Sequence, residues 1–163
     1  MKTLLVIRHA KSSWALIGQS DKDRPLNDRG NKDAPEIANR LLNKKIPIDL
    51  FLSSTAVRAK QTCIHFSKVF KAENNIEFTN ALYHANSKSI FEVVSSIDNK
   101  INCAAVFTHN PGITDCVNEL TAAVKIDNMP TCGVFAVEAS IEKWSDFEQC
   151  EKRFLFFDYP KNI

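Results

Sequence analysis

Leu4-Leu5-Val6-Ile7-Arg8-His9-Ala10-Lys11-Ser12 decides how this chain is read. Four aliphatic residues without polar alternation mark a strand covered on both faces, as in the parallel sheet of an α/β protein. The run stops abruptly at Arg8 and His9. Ligands of open α/β sheets bind outside the carboxyl ends of the strands, so the residues that end such a run are the first place to look for chemistry.

The same look recurs at Asp49 to Leu52, Ala104 to Phe107, Val134 to Val137 and Phe154 to Phe157, with a fainter strand near Ile76 to Thr79. Helical periods lie between them. Ala34, Ile37, Ala38, Leu41 and Leu42 form one apolar stripe, and Ala59, Cys63, Phe66 and Phe70 a second. Ile90, Phe91, Val94 and Ile97 make a third, and Ile113, Val117, Leu120 and Val124 a fourth. Asn27 or Asp28 is expected to cap the first helix and Thr55 the second, with Pro111 in the first turn of the fourth. This alternation predicts one domain over residues 1–163. Its class is α/β, a three-layer α/β/α sandwich with a mostly parallel sheet of about six strands. Gly133 to Ala139 and Arg153 to Tyr159 are separated by only a turn at Gln149 to Lys152, which predicts an antiparallel edge.

Composition excludes several classes. Twenty-one Lys and Arg against 19 Asp and Glu give a net charge of +2, too balanced for a polyelectrolyte binder of nucleic acid. The four-residue aliphatic run falls short of a secretory core, about 7–15 residues, and of a bilayer span, about 20. Five cysteines without a C-x-x-C spacing predict reduced thiols in the cytoplasm rather than a disulfide or zinc framework.

Two further strands end as the first does. Leu52-Ser53-Ser54-Thr55 runs into a helix carrying Arg58, and Phe107-Thr108-His109-Asn110-Pro111 runs into another. A parallel sheet gathers both histidines and two arginines at one edge. Arginine presents a planar fork that fits phosphate oxygens and stays charged. An imidazole can attack phosphorus and carry a phosphoryl group, while a second stabilises charge on the oxygens. Each piece alone has a bland reading: a loop Arg-His pair, a capping histidine, an exposed helix arginine. Their conjunction is far more specific. No Asp or Glu cluster has metal-ligand spacing, so no metal or cofactor is expected.

Arg8-His9-Ala10-Lys11-Ser12, the run Ser53 to Thr62 and Thr108-His109-Asn110-Pro111-Gly112 resemble, in order, three signatures of the histidine phosphatase superfamily, whose fold is phosphoglycerate mutase-like. Asp21, then Arg24-Pro25-Leu26 before a helix with Gly30 in its first turn, is similar to the small SixA-type phosphohistidine phosphatases. The resemblance implies that His9 is the phosphorylated nucleophile and that Arg8, Arg58 and His109 form the phosphate pocket. It makes Arg24 a further phosphate or substrate contact. Lys11 either touches phosphate or lines a solvated loop. Asp21 is either a residual proton donor or the partner of a nearby cation. Ala10 replaces the family's usual Gly, and Thr55 a common Pro. In the segment Ala81 to Asn86, where many members place a Glu as proton donor, there is no carboxylate, and Glu92, the nearest, reads as part of a helix face.

The implied activity is metal-independent phosphate removal through a phosphohistidine intermediate, with phosphohistidine on a signalling protein as substrate. The alternatives are a small-molecule phosphomonoesterase or mutase of the same fold, and a non-catalytic phosphate-binding module. The expected partner is a phosphorylated protein or a small phosphorylated substrate, not nucleic acid or membrane. Trp14 and Trp144 read as packing residues, with Trp14 close enough to edge the pocket, and His65 reads as structural.

Overall fold

The centre of the sheet is β1 (Lys2–Arg8), whose Leu4, Leu5, Val6 and Ile7 are all fully buried. In the computed structural model, which describes Met1–Ile163, Leu4 and Val6 join one apolar core and Leu5 and Ile7 the other. Alternate side chains of a strand point to opposite faces, so an unbroken apolar run feeds two layers at once.

Five more strands complete the sheet: β2 (Leu50–Ser54), β3 (Ile76–Thr79), β4 (Cys103–Thr108), β5 (Val134–Ala139) and β6 (Arg153–Asp158). Their order is β3-β2-β4-β1-β5-β6. The first four in that order are parallel, and β5 is antiparallel to both β1 and β6. The expected antiparallel edge is therefore the β5–β6 pair. Helices α1 (Asp28–Asn43) and α2 (Val57–Val69) cover the Leu5/Ile7 face. Helices α3 (Ser87–Ser95) and α4 (Gly112–Leu120) cover the other, together with the fully buried Trp144. This is a three-layer α/β/α fold.

Several local expectations need correction. The Asn27 side chain caps α1 by accepting from Gly30 N–H at 2.9 Å. Thr55 does not cap α2; its hydroxyl donates to Asn80 Oδ1 at 2.8 Å, and the Ser54 hydroxyl accepts from Ala56 N–H instead. Leu42 is exposed, because the stripe of α1 turns off the sheet in its last turn. Val124 lies beyond α4 and only packs at the margin of the core. Trp144 is a packing residue as expected, donating its indole N–H to the Ile101 carbonyl at 2.8 Å. Trp14 is not; its side chain is 76% exposed. No helix is long and apolar enough to cross a membrane.

Candidate active site

Strand register builds the site. Arg8 lies opposite Thr108 across the parallel β1–β4 pair, and Ser53 opposite Phe107 across β2–β4. His9 and His109, the residues that follow Arg8 and Thr108, therefore emerge at one level of the carboxyl edge, with Ser54 one residue below them. Two glycines let segments close on them. A Cβ on Gly30 would stand 2.1 Å from the Lys11 carbonyl oxygen, and one on Gly112 1.9 Å from that of Ala85. Thr62 ties α2 to the loop after β1 by accepting from Ala10 N–H at 3.0 Å while donating to the Arg58 carbonyl.

His9 is 6% exposed, and its orientation is fixed. Nδ1 lies 2.8 Å from the Ala10 carbonyl, which only accepts, so Nδ1 carries the proton and Nε2 keeps its lone pair. Arg58 Nε–H faces that lone pair at 3.4 Å. Burial pushes the imidazole's pKa well below its usual value; the Ala10 bond opposes this, and His109, Arg58 and Arg8 add to it. At neutral pH His9 is an uncharged imidazole with Nε2 unprotonated and held only by the long Arg58 contact.

The His109 ring stands 5.1 Å from that of His9, centroid to centroid. Its Nε2 is 2.7 Å from Ser54 Oγ, whose lone pair already accepts from Ala56 N–H at 3.2 Å. Nε2 is the one acceptor within reach of the buried hydroxyl hydrogen, so the hydroxyl donates to it and the imidazole proton sits on Nδ1. Burial, reinforced by the charge of Arg58, lowers the His109 pKa to about 3.

Buried side-chain polar atoms rarely go without a partner. Three do here: Arg8 Nε, His109 Nδ1 and Ser87 Oγ. The first two belong to residues lining one cavity of about 230 Å³, together with His9, Lys11, Ser12, Trp14, Arg24 and Arg58 and with no carboxylate. The remainder of the Arg8 fork is anchored by Nη1 donating to the Met129 carbonyl at 2.8 Å. A larger cavity of about 820 Å³, between β2, β3 and α3, offers an anion one lysine against Glu77, Glu92 and Asp98.

Asp21 is drawn to the arginines. It accepts from Arg24 at 3.0 Å, Arg58 at 3.0 Å and the Tyr83 hydroxyl at 2.8 Å, and its carbonyl accepts from Arg58 Nη1 at 2.7 Å. Partial burial works to raise its pKa, but the Tyr83 and Arg58 hydrogen bonds and the Arg58 charge outweigh this and hold it at about 2. Asp21 is therefore ionised at neutral pH. The proton-donor reading is corrected to the cation-partner reading. Arg24 lines the same cavity and is 7% exposed; its nitrogens also brace the loop, Nε donating to the Ser13 carbonyl at 3.1 Å, Nη1 to Asp21 and Nη2 to Ser12 Oγ. Arg58 is engaged in the same way, Nε by His9 and both Nη by Asp21. Lys11 lines the cavity from its exposed side, and its carbonyl accepts from Asn27 N–H.

Ser54 and Tyr83 were not singled out from sequence. Which of two consecutive serines faces the site depends on strand parity. Tyr83 sits in the very segment that lacks a carboxylate, and its partner Asp21 is 62 residues away. His65 bonds Asn31 away from the site at 3.0 Å, and Glu92 pairs with Lys88 on α3. Nothing else competes: no group of three or more His, Cys, Asp or Glu converges to hold a metal ion, and burial pushes the Cys63, Cys103 and Cys116 thiols up to about 12.

A family model for the histidine phosphatase superfamily (branch 1) matches residues 4–83. An uncharacterized protein of Mycobacterium leprae is 28% identical over 95% of this chain and 100% of its own length. A protein of Agrobacterium tumefaciens, assigned as phosphohistidine phosphatase SixA, superposes with a TM-score of 0.82 at 25% identity, covering 98% of both chains. A protein histidine phosphatase SixA in complex with tungstate superposes at 0.82 with 21% identity over 98% of both, a likeness of fold.

Proposed function

The chain belongs to the histidine phosphatase superfamily, and from that premise we propose that this phosphatase removes phosphate from phosphohistidine on a protein by way of a phosphoryl group carried on His9. One observation carries the reading. Arg8 Nε and His109 Nδ1 are two buried nitrogens without partners, on residues that line one cavity with His9, whose unprotonated Nε2 is met only by the long 3.4 Å contact from Arg58. A phosphoryl group set against Nε2 supplies oxygens to both.

The roles follow from the hydrogen bonds. The substrate ring enters protonated on its second nitrogen. The His9 Nε2 lone pair attacks phosphorus in line, and the bond from phosphorus to the departing nitrogen breaks. Its electron pair stays on the ring, so the substrate imidazole leaves neutral with the proton it brought. Water then attacks the phosphorylated His9, the P–N bond breaks, and inorganic phosphate departs from a neutral His9. Arg8, Arg58 and His109 meet charge on the phosphoryl oxygens, work done elsewhere by a divalent cation. The Ala10 carbonyl keeps His9 in its attacking tautomer, and Ser54 keeps the His109 proton on Nδ1. Asp21 orients Arg58, and Arg24 braces the loop beneath Trp14.

The substrate class rests on the missing acid. An alkyl phosphate must expel an alkoxide, for which a general acid typically contributes 10²–10⁴-fold. Asp21 is held ionised and the segment Ala81 to Asn86 offers no carboxylate. Imidazole, with a reference pKa of about 6.5, can be protonated on its second nitrogen near neutral pH before the bond breaks, and it then leaves as a neutral ring without an enzymic acid. The test is a panel of a phosphohistidine protein, an aryl phosphate and an alkyl phosphate. The expected kcat/KM order places alkyl phosphate last; efficient alkyl phosphate turnover overturns the reading in favour of a small-molecule phosphomonoesterase.

A further inference from the structure

Three of the chain's seven exposed large hydrophobic residues fall within four positions: Trp14 at 76%, Leu16 at 64% and Ile17 fully exposed. The other four, Met1, Leu42, Phe78 and Ile163, are far apart in the chain. None of the three packs against either apolar core. They have no part in folding, yet such side chains are worth roughly 1.5–3 kcal/mol each when removed from water. Large apolar side chains clustered on one exposed loop, rather than scattered singly, suit an interaction site.

Its position says which one. Trp14 lines the same cavity as His9, Arg58 and His109, so the apolar loop is the lip of the phosphate pocket. The indole is held there. The Arg24 guanidinium carbon lies 3.3 Å from the ring centroid, a cation–π stack, and Arg24 is itself fixed by Asp21, Ser12 and Ser13. Arg24 covers one face of the indole, while the side chain as a whole stays 76% exposed. The cavity lining behind it carries Arg8, Lys11, Arg24 and Arg58 and no acid, so whatever seats on the lip must present an anion to the pocket.

Resting on the function proposed above, we infer that Trp14, Leu16 and Ile17 form a docking lip for the apolar surface surrounding a phosphohistidine on its carrier protein. The phosphoryl group enters the cationic cavity while the substrate imidazole lies against the open part of the Trp14 indole. Leu16 and Ile17, two and three residues beyond Trp14, meet the carrier rather than the phosphorylated ring. Small phosphoryl donors without a ring use the cavity and bypass the lip, and a free phosphoimidazole meets Trp14 but not Leu16 or Ile17. The lip thus separates protein substrates from metabolites, a discrimination the cationic cavity alone does not make.

The experiment compares the wild type with the double variant Leu16→Ser, Ile17→Ser on two substrates, a phosphohistidine-bearing protein and acetyl phosphate. Acetyl phosphate has a good leaving group but neither ring nor carrier. The double variant should raise KM for the protein about tenfold or more, as loss of an interface anchor does. Its kinetics on acetyl phosphate and its melting temperature should match the wild type. Trp14→Ala should impair free phosphoimidazole more than acetyl phosphate, and Trp14→Phe should restore most of the loss. An unchanged KM for the protein overturns the lip, and so does an equal loss on both substrates. Conversion of a wild-type dimer to a monomer by the double variant also overturns it, since the occupant is then a second copy of the chain. A wild type inert on the phosphohistidine protein but active on acetyl phosphate refutes the proposed function itself, and the two failures are distinguishable.

Discussion

Replacing Asp21 by Asn separates two ways in which a carboxylate beside a phosphate pocket can work. As a proton donor, Asp21 would matter more as the leaving group became more basic, and its loss would cost up to roughly 10²–10⁴-fold on an alkyl phosphate. The structure gives it the other role. Its oxygens accept from Arg24, Arg58 and Tyr83, and its pKa is held at about 2, so it has no proton to give at pH 7. Hydrogen bonds to a charged group contribute about 1.5–3 kcal/mol net. The Asp21 side chain is 41% exposed, however, and solvent reduces such pairs to at most about 1 kcal/mol. Asn keeps one acceptor oxygen. The expected loss is therefore about 1 kcal/mol of transition-state stabilisation through a less well-held Arg58, or about fivefold in kcat/KM. Steady-state kinetics on phosphohistidine peptide, aryl phosphate and alkyl phosphate should show that same factor for all three. A factor that climbs steeply from aryl to alkyl phosphate refutes the reasoning and restores Asp21 as the acid.

Arg8→Lys retains charge but removes the planar fork and the Nε donor that lacks a partner; kcat/KM should fall by about 10²-fold or more, the cost of a lost oxyanion donor, and near-wild-type kinetics would show the fork to be irrelevant. His109 gives a pH prediction. Its folded pKa of about 3 lies below the unfolded value of about 6.5, so the unfolded chain binds more protons and stability falls as pH drops through that window. At pH 4 the contribution from His109 reaches about 3 kcal/mol, read as a lower urea midpoint, and His109→Asn should flatten the slope between pH 6.5 and 4.

Much of this architecture is legible in sequence because its signals are local. A central parallel strand must be apolar throughout, and β1 and β4 are, with every residue from Leu4 to Ile7 and from Cys103 to Thr108 buried. The motif residues His9, Arg58 and His109 follow directly from where such strands stop. β3 is faint for the complementary reason: an edge strand, it is half-exposed along its length. What stays hidden depends on distant parts of the chain meeting. Nothing near Asp21 announces that Arg58, 37 residues on, and Tyr83, 62 residues on, will hold it ionised. Arg24 lines the cavity, but nothing in the sequence says that its fork also braces the loop through Asp21, Ser12 and Ser13. Thr55 has the chemistry of a cap, and Asn80 competes successfully for its hydroxyl.

The central claim is that His9 Nε2 carries the phosphoryl group. Its direct test is rapid acid-free quenching of the enzyme during turnover of labelled substrate, followed by peptide mapping. The account predicts one acid-labile, base-stable phosphate on the peptide containing His9 and none in His9→Ala, which should also lose turnover. Label on any other residue, or sustained turnover by His9→Ala, contradicts it.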